Sequence, residues 1–390
     1  MRDLLTELLE SWHAGDVVAV GTVVGTQRSA PRPPGAAMLV MADGSAVGSV
    51  SGGCVEGAVY ELAETVVADG TPVLQRFGFS DEEAFAVGLT CGGIIDVFVE
   101  PVSVHTFPEL ERLADDVHEH RPVAIATVIE HPDAAWVGRR LVVRPDPGGG
   151  AGPRAAHDAV EGTLGNDRAD AAVIDDARGL LVSGASDVVT YGPEGERMES
   201  GMRVFVSSFQ SPPRMMVFGA IDFAAAVARQ GKLLGYDVSV CDARPTFATH
   251  ARFPEVDDVV VSWPHHYLQH EIEADRIDGR TVICVLTHDP KFDVPVLDLA
   301  LRLDGANRPA FVGAMGSRKT HEDRLERLRE AGLTDEHFAR LSSPIGLDLG
   351  GRTPEETAVS VAAEIVARRW GGTGQRLSDT KDRVHGPQPG

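Results

Sequence analysis

From Met215 onward, short apolar runs alternate with helix-length segments, and no other feature of the sequence restricts the fold as much. Residues 215–218, 237–241, 256–261, 281–286 and 309–313 read as strands. Helical segments separate them, the first running from Gly219 to about Leu234. Strands and helices in strict alternation predict a parallel sheet with helices on both faces, a Rossmann-like doubly wound domain. Near the end of this region Thr353-Pro-Glu-Glu356 predicts a helix start. Threonine caps, proline takes the first helical position and Glu356 closes a capping box.

The chain before this region reads as α+β. Apolar residues Leu4, Leu5, Leu8, Leu9 and Trp12 recur on one face of a helix over 3–14. Strands follow at 17–26 and 37–41, with the stiff loop SAPRPPG and its arginines Arg28 and Arg32 between them. Asp43-Gly44 signals a hairpin into 46–50. A helix is expected over 53–68, an aromatic strand at 77–79 and another strand at 94–99. Strands at 123–129, 139–143 and 204–207 suggest a second α+β region, interrupted by the flexible run DPGGGAGP. The expected organisation is a first α+β domain over 1–105, a second over 106–210, the Rossmann-like domain over 211–370 and a disordered tail over 371–390.

Composition removes several function classes. The 390 residues allow two or three domains, and 43% hydrophobic content suits a folded core. A net charge of -22 argues against nucleic acid and against anionic membrane surfaces. Four cysteines make no disulfide framework. The N-terminus lacks a signal-peptide pattern and no apolar run approaches a membrane span, so a cytoplasmic protein is expected.

Three groups of residues carry chemistry. The first is a pair of glycine-cysteine loops, GSVSGGCVEG over 48–57 and LTCGGIID over 89–96. Gly52, Gly53, Gly92 and Gly93 let the backbone turn sharply, and their N–H groups can form an anion-binding nest. Glu56 and Asp96 stand nearby. A cysteine at a helix start gains thiolate character, which suits Cys54 and Cys91 to sulfur handling or metal contact; the alternative is two packed thiols. Zinc finds no CxxC, and His13 and His105 have no ligand spacing. Cys241 and Cys284 read as core residues. The second group is the first turn of the Rossmann-like region, Gly219-Ala-Ile-Asp-Phe-Ala224. It keeps Gly219 but places Ile221 where dinucleotide binding needs a second glycine, and Asp222 follows as ligand contact or helix cap. Asp242 ends the next strand, where a ribose-binding acid stands. The third group follows later strands: Trp263-Pro-His-His266, then Thr287-His288-Asp289 with Lys291 and Asp293, then Gly313 to Thr320. In the last of these, Ser317, Arg318 and Lys319 at a helix entry are the phosphate candidates; the alternative is ordinary helix capping with solvated Arg318 and Lys319. His288 and Asp289 are metal or ligand candidates.

These motifs, taken in order, resemble the XdhC/CoxI family of accessory factors for xanthine dehydrogenase and related molybdenum hydroxylases. The resemblance rests on GSVSGGCVEGAV, GLTCGGIIDVFVEP, FGAIDFA, CDAR, ATHARFPEVD, LTHDPKFD, FVGAMGSRKT and SPIGLDLGGRTPEETAVSVAAEI. It implies a protein that binds the molybdenum cofactor (molybdopterin), supports its sulfuration and assists its insertion into a client hydroxylase. A sulfur-donating cysteine desulfurase and a homodimer partner are further implied associations. Cys54 and Cys91 map onto the family cysteines implicated in holding the cofactor. One position departs from the pattern: the family commonly has Gly-Ala-Gly-His where this chain has Gly219-Ala220-Ile221-Asp222. Two other classes compete, a nucleotide-dependent oxidoreductase acting through the Rossmann-like domain and a non-enzymatic assembly partner.

Overall fold

The computed structural model describes residues 1–27, 32–78, 93–146 and 159–380. The chain folds as two units, Met1–Ser211 and Pro212–Gly390.

The first unit is one element used twice. Its first copy runs α1 (Leu5–Ala14), β1 (Val18–Gln27), β2 (Ala37–Val40), β3 (Ala46–Gly48), α2 (Glu56–Asp69), β4 (Val73–Phe77) and β5 (Ile94–Val102). The second copy repeats this as α3 (Leu110–His118), β6 (Val123–Glu130), β7 (Arg140–Val143), β8 (Val160–Gly162), α4 (Asp167–Ser183), β9 (Asp187–Tyr191) and β10 (Met202–Phe209). Both sheets are antiparallel, with the same strand order, β3-β2-β1-β5-β4 and β8-β7-β6-β10-β9. Their registers correspond. Thr22 stands between Ala37 and Phe98, and Thr127 stands between Arg140 and Phe205. Helices α2 and α4 end alike on left-handed glycines, Gly70 and Gly184, with φ of 70° and 71°. Gly48 and Gly162 close β3 and β8 with φ of 84° and 83°, and a Cβ on either would lie 2.4 Å from a carbonyl oxygen, that of Ala37 or Arg140.

Strand alternation decides how the copies pack. On one face Val97 and Val99 meet Val59, Ala63 and Val66 of α2. The matching face of the second sheet meets Val173, Ala177 and Leu181 of α4. The opposite faces bury each other: Val18, Val20 and Val102 share a core with Val123, Ile125 and Phe209, and Val24 and Phe98 share another with Ile129 and Phe205. Helices α1 and α3 close this shared core with Leu5, Leu8, Leu110 and Leu113. Two expected boundaries move. The helix expected from residue 53 begins at Glu56, because Gly52 and Gly53 take φ of 81° and 117°. The aromatic strand expected at 77–79 is the end of β4, and Phe79 lies outside the described residues.

The second unit is the doubly wound domain. It runs β11 (Arg214–Phe218), α5 (Asp222–Leu233), β12 (Asp237–Asp242), β13 (Asp258–Val261), α6 (Pro264–Glu273), β14 (Val282–Val285), α7 (Pro290–Arg302), β15 (Phe311–Ala314), α8 (Arg318–Glu330), α9 (Asp335–Phe338), β16 (Leu341–Ser342) and α10 (Pro354–Trp370). Six parallel strands lie in the order β13-β12-β11-β14-β15-β16. Helices α5 and α10 cover one face through Ala224, Val227, Val361 and Ile365. Helices α6, α7 and α8 cover the other through Leu268, Val296, Leu297 and Leu328. The strand order reverses between β11 and β14, so the crevice of this sheet opens at their carboxyl ends. The capping box of α10 forms between Thr353 and Glu356 as its sequence predicts. No helix among the described residues is long and apolar enough to cross a membrane.

The glycines give a direct stability test. Gly48→Ala and Gly162→Ala should each cost about 1–3 kcal/mol, because a left-handed residue acquires a Cβ against backbone. Gly57→Ala, on α2 with open space around it, should cost nothing. Urea denaturation of the three variants measures the difference.

Candidate functional site

The loop from Ser49 to Val55 is organised by one carboxylate. Glu56 opens α2 and turns back over the loop. Its Oε1 accepts from Ser49 Oγ at 2.6 Å and from the N–H groups of Ser51 and Gly52 at 2.9 and 3.0 Å. Its Oε2 accepts from Ser51 Oγ at 2.6 Å and from the N–H groups of Gly53 and Val55 at 2.9 and 3.2 Å. Ser51 Oγ in turn accepts the N–H groups of Cys54 and Val55 at 2.9 and 3.0 Å. The successive N–H groups form a nest, and its anion comes from the chain itself. Partial burial alone would raise the Glu56 carboxyl, but the bonds from Ser49, Ser51 and the backbone outweigh it and lower the group to about 2.

Cys54 sits half-buried in this clamped loop, beside the core under α2. Among the described residues, nothing lies within 4 Å of where a Cβ of Gly52 or Gly53 would stand, so no described residue covers the loop's outer side. The structure thus brings Gly52, Gly53, Cys54 and Glu56 together. Cys91 and Gly92 lie outside the described residues. Gly93 is buried just before β5. Asp96, on β5, forms a two-pronged ion pair with Arg76 of β4 at 2.6 and 2.8 Å, and its oxygens face that partner rather than the cysteine loop. Cys241 and Cys284 are buried inside β12 and β14. Burial, with Asp242 beside the first and Glu364 near the second, pushes both thiols up to about 12.

In the second unit Gly219 follows β11 with φ of 111°, and a Cβ there would meet Thr287 at 2.8 Å. Asp242, buried at the end of β12, accepts from the Ala220 N–H at 2.8 Å. It also accepts from Arg244 through its N–H at 2.9 Å, Nε at 2.9 Å and Nη2 at 2.8 Å. Burial would raise this carboxyl, and the bonds from Arg244 and Ala220 lower it. Its oxygens therefore tie the first turn to Arg244. Ile221 is the cap residue of α5 and supplies no side-chain bond. Asp222 is already in the first helical turn, where it pairs with Arg252 at 3.1 Å. Ser317 caps α8 by accepting the Thr320 N–H at 3.1 Å, and Arg318 and Lys319 extend into solvent. Asp289 caps α7 and pairs with Lys291 at 3.1 Å, beside an exposed His288. No three potential metal-binding side chains gather among the described residues.

Sequence reasoning missed the partners that hold these sites. Ser49 and Ser51 supply hydroxyls to Glu56, and a serine pair just ahead of an acid at a helix start was their signal. Buried Asp293 and Arg324 cluster with half-buried Ser343 beneath the turn after β15. Arg324 Nη2 donates to Asp293 at 2.9 Å and to the Met315 carbonyl at 2.8 Å, its Nη1 reaches Ser343 at 3.1 Å, and Thr287 donates to Asp293. Arg324 lies one helical turn before buried Leu328 on the same face of α8, which was its signal.

A duplicated antiparallel α+β unit, carrying a clamped cysteine loop in one copy and followed by a Rossmann-like unit, defines the class of this protein. Residues 215–365 match the model described as the XdhC Rossmann domain. Residues 11–78 and 117–192, one segment in each copy of the first unit, match the model of the XdhC and CoxI family. The chain belongs to the XdhC/CoxI family. It is 26% identical over 368 residues to a Bacillus subtilis protein named as a probable xanthine dehydrogenase subunit, covering 94% of this chain and 96% of that one. It is 24% identical over 368 residues to the Escherichia coli molybdenum cofactor insertion chaperone PaoD, covering 94% and 88%. A crystal structure from Bacillus halodurans, described as a xanthine dehydrogenase, shares the fold. Its TM-score is 0.68 at 21% identity, over 97% of this chain and 98% of that one.

Two outcomes test the site. Because the folded Glu56 carboxyl is lowered from 4.5 to about 2, the clamp is complete above about pH 4.5 and is lost as pH falls toward 2. Amide exchange at 51–55, corrected for intrinsic rates, should therefore accelerate across that window in the native protein. In Glu56→Gln it should be fast throughout, the lost charge-assisted bonds being worth about 2 kcal/mol locally. Arg324→Ala should cost about 3–5 kcal/mol in urea melts, because it takes the ion-pair partner from a buried carboxyl, Asp293, that burial already disfavours in its charged form.

Proposed function

We propose that this protein is an accessory factor that carries the molybdenum cofactor, supports its sulfuration and delivers it to a molybdenum hydroxylase. The observation that carries the reading is Cys54 itself. In a member of this family, one half-buried cysteine sits in a loop that glycines and an internal carboxylate hold in place and whose outer side no described residue covers. A soft sulfur ligand suits molybdenum, and a fixed loop offers it without an ordering cost on binding. Cys91 is the second proposed thiol, with Gly92 and Gly93 beside it. In this reading Glu56 keeps the loop in shape and the cargo meets the outer side of Gly52 and Gly53.

The second unit carries a separate proposed site of its own. Ser317, Arg318 and Lys319 at the start of α8 would hold a phosphate, of a pterin or of a nucleotide. Gly219, Asp242, His288 and Asp289 belong to the crevice around it. A nucleotide-dependent oxidoreductase is less well supported, because Arg244 and Ala220 already use the Asp242 oxygens that a ribose would need. The client is a molybdenum hydroxylase, and a cysteine desulfurase is the proposed sulfur source.

Molybdenum and pterin analysis of protein purified without oxygen from cofactor-making cells tests this. The native chain should carry both in near-equal amounts. Cys54→Ala and Cys91→Ala should each drop to the level of an unrelated control while keeping the native melting temperature. Native-level cargo in both variants would refute the thiol assignment. Absence of cargo from the native chain would refute the function.

A further inference from the structure

The duplication provides an internal control for every residue on the shared face between the two sheets, and three positions break the equivalence. Arg140 opens β7 opposite Thr127, where the first copy has Ala37 opposite Thr22. Glu100 on β5 pairs with Val20, where the second copy has Ser207 paired with Ile125. Glu109 caps α3, where Leu4 caps α1. The last pair also matches in space: Leu4 lies 2.9 Å from where a Cβ of Gly48 would be, and Glu109 lies 3.6 Å from that of Gly162. One corner of the scaffold therefore folds with alanine, serine and leucine. Its counterpart holds arginine and two glutamates, so the architecture does not require those charges.

The charged corner is open. A cleft of about 420 Å³ is lined there by Glu100, Glu109, Arg139, Arg140 and, at its left-handed turns, Gly138 and Gly162. That volume lies in the range of small-molecule sites. Arg140 is 7% exposed, and its guanidinium lies 4.1 Å from the centre of the Phe107 ring. Among the described residues its hydrogen bonds leave only from Nη2, to Glu100 at 2.7 Å and to the Gly138 carbonyl at 3.2 Å. Neither buried Nε nor Nη1 bonds a described residue. A buried guanidinium with unused donors is costly unless something accepts from it. Glu109 likewise makes no ion pair among the described residues.

We propose that this cleft binds a small zwitterion of amino-acid size, its carboxylate on Arg140 and its ammonium on Glu109. Two cations and two carboxylates line the cleft, so a simple anion meets Glu109 and a simple cation meets Arg140. A ligand carrying both charges satisfies both. The proposal does not depend on the cofactor reading, since it uses neither cysteine loop nor parallel sheet.

Isothermal titration of the full chain with each of the common L-amino acids tests it, with acetate and methylammonium as half-ligands. At least one amino acid should bind saturably at millimolar concentration or below, and neither half-ligand should. The double variant Arg140→Ala/Glu100→Ser, which copies Ala37 and Ser207, and the single variant Glu109→Leu, which copies Leu4, should each abolish binding. Failure of every amino acid to bind, equal binding of acetate, or undiminished binding by Glu109→Leu would overturn it.

Discussion

The first unit depends on one constraint: each of its sheets has two apolar faces, one covered by a helix of its own and the other only edged by α1 or α3. Helix α2 protects one face of the first sheet and α4 one face of the second. The remaining faces carry Val18, Val20, Phe98 and Val102 on one side and Ile125, Ile129, Phe205 and Phe209 on the other. Neither can stay in water, so the copies bury each other. With the strand scaffold held by its own duplicate, the loops at the sheet ends are free to diverge, and they have. Residues 48–56 became a clamped cysteine loop in the first copy. The corresponding stretch of the second copy has Asn166 capping α4 through the Ala169 N–H at 2.7 Å.

The carboxylate clamp survives in both copies in different forms. Asp170 accepts from Thr163 Oγ1 and from the Leu164 N–H, each at 2.7 Å, as Glu56 accepts from Ser49 and Ser51. What differs is the backbone between the hydroxyl and the acid. In the second copy it is helical from Asp167 onward. In the first, two left-handed glycines keep it out of the helix and turn its N–H groups onto the carboxylate. Cys54, half-buried against the core under α2, lies in the loop made by that difference. The loop's shape thus rests on a backbone choice that glycine permits and that an L-residue would resist.

The parallel sheet was legible because its signal is local: apolar strands, helix caps and the Thr353 capping box are each written in a few adjacent residues. The cysteine loop was legible as a place but not as a geometry. Its glycines marked a sharp turn, yet nothing in the spacing showed that Glu56 fills the nest. The same holds for Asp242, whose strand-end position was visible while its use by Arg244 was not. The duplication escaped the sequence because hydrophobic strand residues exchange freely. Val20 corresponds to Ile125 and Val59 to Val173 under no constraint but burial, and the loops between strands differ in length. Ion pairs across sheets, such as Glu100 with Arg140, join residues far apart in the chain, and no periodicity records them.

The proposed role requires that Cys54 meet the cofactor. Alkylation footprinting by mass spectrometry measures this directly, comparing protein loaded with molybdenum cofactor against the same protein stripped of it. The account predicts that Cys54 reacts readily in the stripped protein and is protected in the loaded one, while buried Cys241 and Cys284 stay unreactive in both. Equal labelling of Cys54 in the two states would contradict it.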